Sequence, residues 1–563
     1  MIINFLHPGL ILILGGLLLP VIRGNWRHVW ALSLPVISLI AIWVLPEGSH
    51  WHASFIGYAI ESFNVDKLAR LFVTVFSIMA FTGVLYCYKQ ASVIELTAAL
   101  IYAGSAISVT LAADLLTLFI FWEAMALTST LVIWSARNES SRRAGMRYIL
   151  MHLFGGVVLM TGITIFGYET GSLAFSAMSL DSWGTWLIFA GFLVNVGAPP
   201  FSAWLPDAYP ESSFSGMVFL SAFTTKTAVY VLLRGYPGTE LLIYIGLYMI
   251  FYGIVYALLE NDMRRILAYS IINQVGFMVC GIGIGTHLAL NGAAAHAFTH
   301  IIYKALLLMS AGSVLYMTGK RKCSDLGGLF QTMPLTCLCG IVGALSISAF
   351  PLTSGFVSKS MMTQAAADGH MLTVWLLLQA ASAGVFLHAG IKFPWFVFFQ
   401  KDSGLRPEEP PMNMRVAMIF FSVLCIAIGV LPNLFYRLLP YSIEYVPYTA
   451  DHVLVQLQLL LFSGLAFFVM LPWMQRTLTI SLDLDWFYRK LLPSAGSTVL
   501  GIISFINQYV KCAIKPVLTG LYSRITRIYG SQGVLSRELQ TGTVVLLAVF
   551  FLAAYLLFYL INR

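Results

Sequence analysis

The chain has 563 residues, of which 59% are hydrophobic and only 10% are charged, whereas soluble domains carry about 25% charged residues. A soluble globular enzyme is therefore excluded, and because the apolar runs are continuous rather than alternating, so is a transmembrane β-barrel. The formal net charge of +8 is concentrated in particular loops, where it indicates membrane orientation and not a nucleic-acid partner.

Apolar runs long enough for a helix to cross about 30 Å of hydrocarbon recur along the chain. We predict an all-α polytopic protein of the inner (plasma) membrane with about sixteen spans, at residues 2–22, 28–46, 67–87, 94–111, 115–135, 146–168, 184–204, 216–234, 241–260, 266–284, 293–317, 334–370 (interrupted), 374–396, 414–434, 453–473 and 543–561. The first run lacks a basic leader and a cleavage site, so we expect a retained helix rather than a signal peptide. Basic residues gather after the first, fifth, ninth and eleventh spans, which places the N-terminus outside the cytoplasm.

Four ionisable residues lie inside predicted spans: Glu123, Lys226, Lys304 and Lys359. A charge near the middle of a bilayer costs about 2.5–3.5 kcal/mol even on lenient insertion scales. Residues of this kind usually face other helices or water and handle protons or ions. The alternatives are a helix-packing Glu123 and a Lys226 that snorkels to the interface. Lys226 lies eight residues before Arg234, about 12 Å from that end of its helix, which favours a proton relay.

Histidines also lie inside the predicted spans, on the same helices as some of the lysines. His296, His300 and Lys304 recur at every fourth residue, so they share one helical face. A metal pair is a weak alternative, because no acidic or cysteine co-ligand is evident and the seven cysteines lack a metal-ligand spacing. We predict a proton-conducting stripe with no metal and no cofactor. His388 and Lys392, also four residues apart, are predicted to continue the path, although an ordinary interfacial lysine is an equal alternative for Lys392.

The chain contains a faint internal repeat. The stretches VGAPPFSAWLPDA (196–208) and SAFPLTSGFVSKS (348–360) each place proline, glycine, serine and an aromatic residue late in an apolar run, and aligning Pro200 with Pro351 gives an offset of 151 residues. If five spans separate the copies, an odd number, the copies are inverted in the membrane. Inverted repeats with broken helices at matching positions indicate a transport path.

Residues 474–542 differ in kind from the rest of the chain. They carry eight Lys/Arg against three Asp/Glu, which predicts a position on the cytoplasmic side. Apolar residues at helical spacing predict an amphipathic helix over 496–528, bent at Pro516, that lies on the membrane surface or along neighbouring helices. A final span follows at 543–561.

Six stretches together resemble the antiporter-like subunit family shared by Mrp-type cation/proton antiporters, respiratory complex I and membrane-bound hydrogenases. They run in the family's order from about residue 100 to 400: DLLTLFIFWEAM, PPFSAWLPDAYPESS, TTKTAVYVLLR, NDMRRILAYSIINQVGFM, HAFTHIIYKALLLMSAGSVLYMTG and PLTSGFVSKS. The form LPDAYPESS is most similar to the D-type subunit of Mrp antiporters. The extra C-terminal spans with an amphipathic stretch are more similar to the largest complex I antiporter-like subunit.

The resemblance implies two inverted five-helix bundles with a proton path along the middle of the membrane. The corresponding regions are N-terminal helices at 1–93, a first antiporter-like repeat at 94–234, a second inverted repeat at 241–396, additional helices at 414–473, the amphipathic segment at 474–542 and a last helix at 543–563.

The resemblance also assigns roles to single residues. Glu123 matches the family's carboxylate in the fifth helix, and Lys226 and Lys359 match its lysines in the eighth and twelfth helices. One position departs from the pattern, because Asn195 stands where the family usually has the lysine that pairs with the glutamate. Either another cation such as Lys226 takes that role, or the N-terminal half conducts differently or not at all.

These observations predict a proton-translocating subunit of a multisubunit Na⁺/proton antiporter. Its partners would be other integral membrane subunits, protons and a monovalent cation, with Na⁺ the leading choice. The alternatives are a membrane-arm subunit of a complex I-like or hydrogenase-type redox complex, a subunit of an inorganic-carbon uptake system, and a scaffold that transports nothing. No cluster, flavin or nucleotide motif is present, so any redox chemistry would belong to partner subunits.

Overall fold

A computed structural model of the chain describes residues 7–442, 444–472, 483–530, 533 and 540–561. It separates into two compact units, Met1–Asp485 and Trp486–Arg563. The beginning of the first predicted span and parts of the predicted segment 474–542 lie outside the described residues.

The first unit is almost entirely helical. Its elements are α1 (Pro8–Leu18), α2 (Asn25–Val44), β1 (Gly48–Phe55), β2 (Tyr58–Val65), α3 (Lys67–Cys87), α4 (Val93–Leu111), α5 (Leu115–Trp134), α6 (Glu139–Thr170), α7 (Trp183–Val196), α8 (Trp204–Ala208), α9 (Gly216–Leu220), α10 (Thr224–Gly235), α11 (Leu241–Leu259), α12 (Met263–Ile284), α13 (His287–Thr318), α14 (Pro334–Ile347), α15 (Ser354–Asp368), α16 (Leu372–Val385), π-helical turns at Phe386–Lys392 and Trp395–Phe399, α17 (Met412–Val430), α18 (Pro432–Tyr436) and α19 (Ala450–Met470).

The second unit, taken by itself, holds a π-helical turn at Phe487–Leu491, then α20 (Leu492–Tyr529) and α21 (Thr541–Ile561). The helix predicted at 496–528 is present and begins four residues earlier, because Pro493 lies in its first turn, where the missing N–H needs no partner. It continues through Pro516, and none of its side chains is buried within the unit.

Among the described residues, 14 helices are long and apolar enough to cross a membrane by length and composition, and α1, α7 and α14 are shorter apolar helices. One of the 14 is α20; the other 13 and the three shorter helices fall one for one on the sixteen predicted spans. The prediction of an all-α polytopic membrane protein is confirmed.

A two-stranded hairpin was not predicted from the sequence. Strands β1 and β2 pair antiparallel, with Phe55 opposite Tyr58 and Gly48 opposite Val65. The two-residue turn has positive φ at both Ile56 (48°) and Gly57 (85°), as the tight turns that match strand twist require. The hairpin fills the connection between the second and third spans.

The internal repeat appears in the backbone hydrogen bonds. Leu115 N–H donates to Leu173 O, and 148 residues later Met263 N–H donates to Arg321 O. The neighbouring bond from Phe175 to Ala113 recurs, again 148 residues on, from Cys323 to Asn261. The second helices of the two halves, α5 and α12, are thus held to the loop after the third helix by the same pair of bonds.

The offset changes within the repeat. Helices α6 and α13 both have 32 residues and end on a left-handed glycine, Gly171 and Gly319, which keeps the offset at 148. The interrupted helices α7 and α14 end at Val196 and Ile347, an offset of 151. The loop before α14 is therefore three residues longer than the loop before α7, and the offset predicted from Pro200 and Pro351 holds only beyond that loop.

Buried arginine contacts join the two halves. The Arg264 guanidinium, at the start of α12, donates to the carbonyl oxygens of Ser212 at 2.8 Å and Ser213 at 2.7 Å. Arg321 pairs with Glu211 at 3.0 Å and with Asp262 at 2.8 Å. These contacts hold the segment after α8, in the first half, against the start of α12, in the second half.

Candidate functional site

The carboxyl group of Glu123 points from α5 toward α6. An ideal Cβ at Gly156 would lie 2.0 Å from Glu123 Oε1, so the carboxyl occupies the space that a side chain at this glycine would need. Glu123 is half-buried, and its Oε1 has no hydrogen-bond partner among the described residues.

Asn195, one residue before the end of α7, is fully buried. Its Oδ1 accepts a hydrogen bond from Nδ1 of His152 at 2.7 Å, whereas its Nδ2 has no partner in the part of the chain that the structure describes. His152 was not among the predicted site residues. It is 1% exposed and packs against the rings of Tyr148 and Trp204.

The repeat relates His152 to the predicted stripe. At the offset of 148 residues, Tyr148, His152 and Gly156 of α6 correspond to His296, His300 and Lys304 of α13. Each triplet has the spacing of one helical face. Each half therefore places a buried histidine at the same point of its third helix, and the glycine beside Glu123 stands where the other half has a lysine.

Lys226 lies just after the break between α9 and α10. Its Nζ donates to Ser221 O at 2.6 Å and to Thr225 Oγ1 at 3.1 Å, and the side chain is fully buried. The ammonium thus turns toward the end of α9 instead of snorkelling outward. Within the described residues no salt bridge joins Lys226 to Glu123, so the predicted option of a replacement cation is not realised by this contact.

The stripe on α13 is completely buried, with His296, His300 and Lys304 all at 0% exposure. His296 contacts Ser358 Oγ at 2.9 Å and Gln274 Oε1 at 3.1 Å. Both ring nitrogens of His300 and the Nζ of Lys304 are without a hydrogen-bond partner among the described residues. Buried polar groups are nearly always hydrogen-bonded, so this pair marks a place where water or a proton carrier fits.

Lys359 follows the break between α14 and α15. Its Nζ donates to Ile347 O, the last residue of α14, at 2.8 Å and lies 4.8 Å from the centre of the Phe277 ring, a cation–π contact. Lys359 also lines a cavity of about 300 Å³ that reaches Asp451 and His452 at the start of α19. The cavity offers water a way to this ammonium.

The last two predicted residues lie in the π-helical turn after α16. His388 Nδ1 donates to Gly384 O at 2.8 Å, and its Nε2 has no partner within the described chain. The Nζ of Lys392 donates to three carbonyl oxygens at the end of α11, those of Ala257 (3.1 Å), Leu258 (2.5 Å) and Glu260 (2.7 Å). Lys392 is 5% exposed, and its place in the path stays a prediction.

The predicted residues fall into two groups. His296 of the stripe contacts Ser358, the residue before Lys359, and His388 lies four residues before Lys392 in the same π-helical turn. The stripe, Lys226, Lys359, His388 and Lys392 are all buried, and we call this set the buried basic row. Glu123, His152 and Asn195 form a second, smaller group in the first half.

Substituting Gly156 by alanine tests the role of Glu123. The methyl group of Gly156→Ala would displace the Glu123 carboxyl, since it would lie 2.0 Å from Oε1. We expect proton transport in everted vesicles to fall about tenfold or more, because small misplacements of a reacting group are costly. Gly155→Ala is the matched control, as its Cβ would touch Val194 at 3.0 Å and not Glu123. Equal losses in both variants, or no loss in Gly156→Ala, would contradict this role.

Comparisons with known proteins agree with this arrangement. A family model described as "NADH:quinone oxidoreductase/Mrp antiporter, TM" matches residues 112–385. The chain is 31% identical over 358 residues to a probable A/B-type K(+)/H(+) antiporter subunit of Rhizobium meliloti, covering 59% of this chain and 36% of that protein. It is 31% identical over 276 residues to the D-type Na(+)/H(+) antiporter subunit of Alkalihalophilus pseudofirmus, covering 46% and 56%. It is 25% identical over 420 residues to hydrogenase-4 component B of Escherichia coli, covering 66% and 62%. The match thus spans less than two thirds of each of these three relatives.

Solved structures share the fold. A chain of the Mrp complex from Dietzia sp. has a TM-score of 0.79 at 20% identity and covers 93% of this chain and 63% of its own length. A chain of the archaeal membrane-bound sulfane sulfur reductase has a TM-score of 0.72 at 23% identity, with 98% and 99% covered. Residues 112–385, which contain Glu123, His152 and Asn195 of the first half and the lysines Lys226, Lys304 and Lys359, thus belong to the NADH:quinone oxidoreductase/Mrp antiporter transmembrane family.

Proposed function

We propose that the chain is a proton-translocating subunit of a multisubunit monovalent cation/proton antiporter in the inner (plasma) membrane. The observation that carries the proposal is the buried basic row, in which Lys304 has neither a hydrogen-bond partner nor a counter-ion among the described residues. A buried ammonium held this way is poised to lose its proton, since lysine loses its proton readily when it is desolvated. Relatives named as antiporter subunits support the choice.

In this proposal a proton moves along the membrane through the row. Lys226, next to the break between α9 and α10, is the member of the row that belongs to the first half. Lys304 and Lys359 continue it, and the cavity beside Lys359 provides contact with water near Asp451 and His452. Inward proton movement would drive a monovalent cation outward through the assembled complex, with Na⁺ the first cation to test.

A second candidate is a membrane subunit of a redox-driven complex. The observation that favours it is the near-complete overlap in fold with a chain of the sulfane sulfur reductase complex, 98% of this chain and 99% of that one. In such a complex the same row would move protons, and the oxidation chemistry would take place in other subunits.

The two candidates respond to different driving forces. Everted vesicles containing the whole complex are loaded with a pH-sensitive dye, energised to form a proton gradient, and then given Na⁺, K⁺ or Li⁺. Collapse of the gradient by one of these cations, absent in vesicles with Lys359→Ala, supports the antiporter. Proton movement that starts only when a reduced electron donor is added supports the redox complex. No proton movement under either condition would contradict both.

A further inference from the structure

Among the polar atoms of the first half that lack hydrogen bonds within the described chain are Glu123 Oε1, His152 Nε2 and Asn195 Nδ2, one from each member of the smaller group. His152 is 1% exposed and Asn195 is 0% exposed. Buried polar groups in proteins are nearly always hydrogen-bonded. Three such atoms in one small group therefore indicate a site that water or a transferred proton completes.

Helix geometry places the three residues side by side. His152 and Gly156 are one turn apart on the same face of α6, with Cβ positions separated by about 5–6 Å. The Glu123 carboxyl lies against Gly156, 2.0 Å from where a Cβ would stand. Glu123 is thus separated from His152 by about one helical turn, a gap that one water molecule spans.

The hydrogen bond to Asn195 fixes the protonation of the ring. Because Asn195 Oδ1 is the atom that faces Nδ1 at 2.7 Å, the proton of neutral His152 is on Nδ1. Nε2 is then a bare lone pair that is free to accept a proton. The hydrogen bond to Asn195 holds the imidazole ring of His152 in one orientation. The side-chain amide of Asn195 can do this although it carries no charge.

Hydroxyl groups lie close to both His152 and Lys226. The ring of Tyr148 packs against that of His152, 4.1 Å from centre to centre, and Tyr148 Oη is 3.5 Å from Thr224 Oγ1. The next residue, Thr225, accepts a hydrogen bond from Lys226 Nζ at 3.1 Å. Side chains that could relay a proton are thus present beside both His152 and Lys226.

We propose that His152 is the proton-accepting base of the first half and carries protons between Glu123 and Lys226. This inference rests on the proposed proton translocation. The proton leaves the Glu123 carboxylic acid and binds Nε2 of His152, which gives a carboxylate and an imidazolium while the Nδ1 proton stays on the ring. The imidazolium then gives up the Nε2 proton, which the neutral amine of Lys226 takes up by way of the hydroxyl groups beside it. The step thus begins with a neutral Glu123 and a neutral Lys226 and ends with a carboxylate and an ammonium.

A double-mutant cycle in everted vesicles tests the proposal, with the assembled complex purified in parallel to show that each variant folds. We expect His152→Gln to lower proton transport about a hundredfold, in the range expected when a positioned proton-transfer group is lost. In a Glu123→Gln background, His152→Gln should have no further effect, because both residues serve one step. His7→Asn is the matched control: His7 is also a buried histidine, in the N-terminal helices, and asparagine preserves its capping of α1.

A rescue separates a proton-carrying role from a structural one. Asn195→Lys supplies a second base beside Glu123, so His152→Gln with Asn195→Lys should recover most of the transport that His152→Gln loses. Transport that is unchanged in His152→Gln, losses that multiply in the double mutant, or the absence of any rescue would overturn the proposal.

A second variant and an NMR measurement test the proposal where His152→Gln alone does not. If His152→Gln does not assemble, Asn195→Leu is the second variant, since it removes the hydrogen bond that holds the ring of His152. Unchanged transport in Asn195→Leu would overturn the proposal.

Nitrogen NMR of ¹⁵N-histidine in the complex tests the tautomer of His152 without a transport assay. The signal of His152 is identified as the one that is lost in His152→Gln, and it should show the ring proton on Nδ1. Failure of the proposed function is distinct, as wild-type vesicles would then move no protons under any driving force.

Discussion

Vesicles that contain Lys359→Ala or Lys304→Ala are expected to lose proton transport to the level of vesicles without the complex. Lys304 has no hydrogen-bond partner among the described residues, and Lys359 bridges the α14 carbonyl end and the water-accessible cavity. Removing either group interrupts the buried basic row, which holds the buried lysines and histidines of the described part of the second half. Transport is measured by dye response in everted vesicles, with the amount of complex checked by immunoblot.

The variant Lys359→Arg distinguishes a lysine that carries protons from one that only supplies a fixed positive charge. Lys359→Arg keeps the positive charge and can still reach Ile347 O and the Phe277 ring, yet arginine is effectively never deprotonated in proteins. We therefore expect Lys359→Arg to fail as Lys359→Ala does. Lys401→Ala, at an exposed residue, is the control for loss of a lysine. Normal transport in Lys359→Arg would show that the residue is a fixed charge and not a carrier.

Deleting residues 496–528 is expected to release partner subunits from the complex. The deletion removes most of α20 and leaves α19 and α21 to keep the chain in the membrane. A helix of the observed 38 residues is about 57 Å long, enough to reach along one neighbouring subunit. Its apolar residues recur at helical spacing and include Val499, Ile502, Ile506, Val510 and Ile514, a face that a partner would cover.

Affinity purification of the complex measures the result. Loss of other subunits while this chain remains inserted supports docking on a neighbouring protein. A charge variant provides the comparison: Lys511, Lys515, Arg524 and Arg527 replaced by glutamine should leave the complex intact if the apolar face makes the contact. A deletion that leaves both composition and transport unchanged would instead support a helix on the lipid surface, with anionic headgroups near the basic residues.

Hydropathy predicted most of the membrane fold, because crossing a bilayer imposes length and composition on each helix independently of its neighbours. The interruption near Pro351 was predictable for a similar reason, since proline and glycine late in an apolar run locally prevent regular helix. The break between α9 and α10 was not predicted. Residues 221–223 there are Ser, Ala and Phe, which give no local signal of a break.

His152 illustrates what the sequence left hidden. It corresponds to His300 only at an offset of 148 residues, whereas the prolines suggested 151. The loop before α14 has three additional residues, which accounts for the difference between the two offsets. An alignment at 151 residues, based on the prolines, therefore does not pair His152 with His300. The pairing with Asn195 is a contact between α6 and α7, and such contacts between helices leave no spacing pattern in the chain.

The carbonyl groups that bind the lysines give the helix ends a mechanical role. Lys226 binds Ser221 at the end of α9, Lys359 binds Ile347 at the end of α14, and Lys392 binds the end of α11. Hydrogen bonds from a charged donor are roughly twice as strong as those from a neutral one. Under the proposed function, a lysine that gives up its proton would hold its helix end less firmly, so that this end would be easier to move. A neighbouring protein packed against such a helix end would then respond to the proton without ever receiving it.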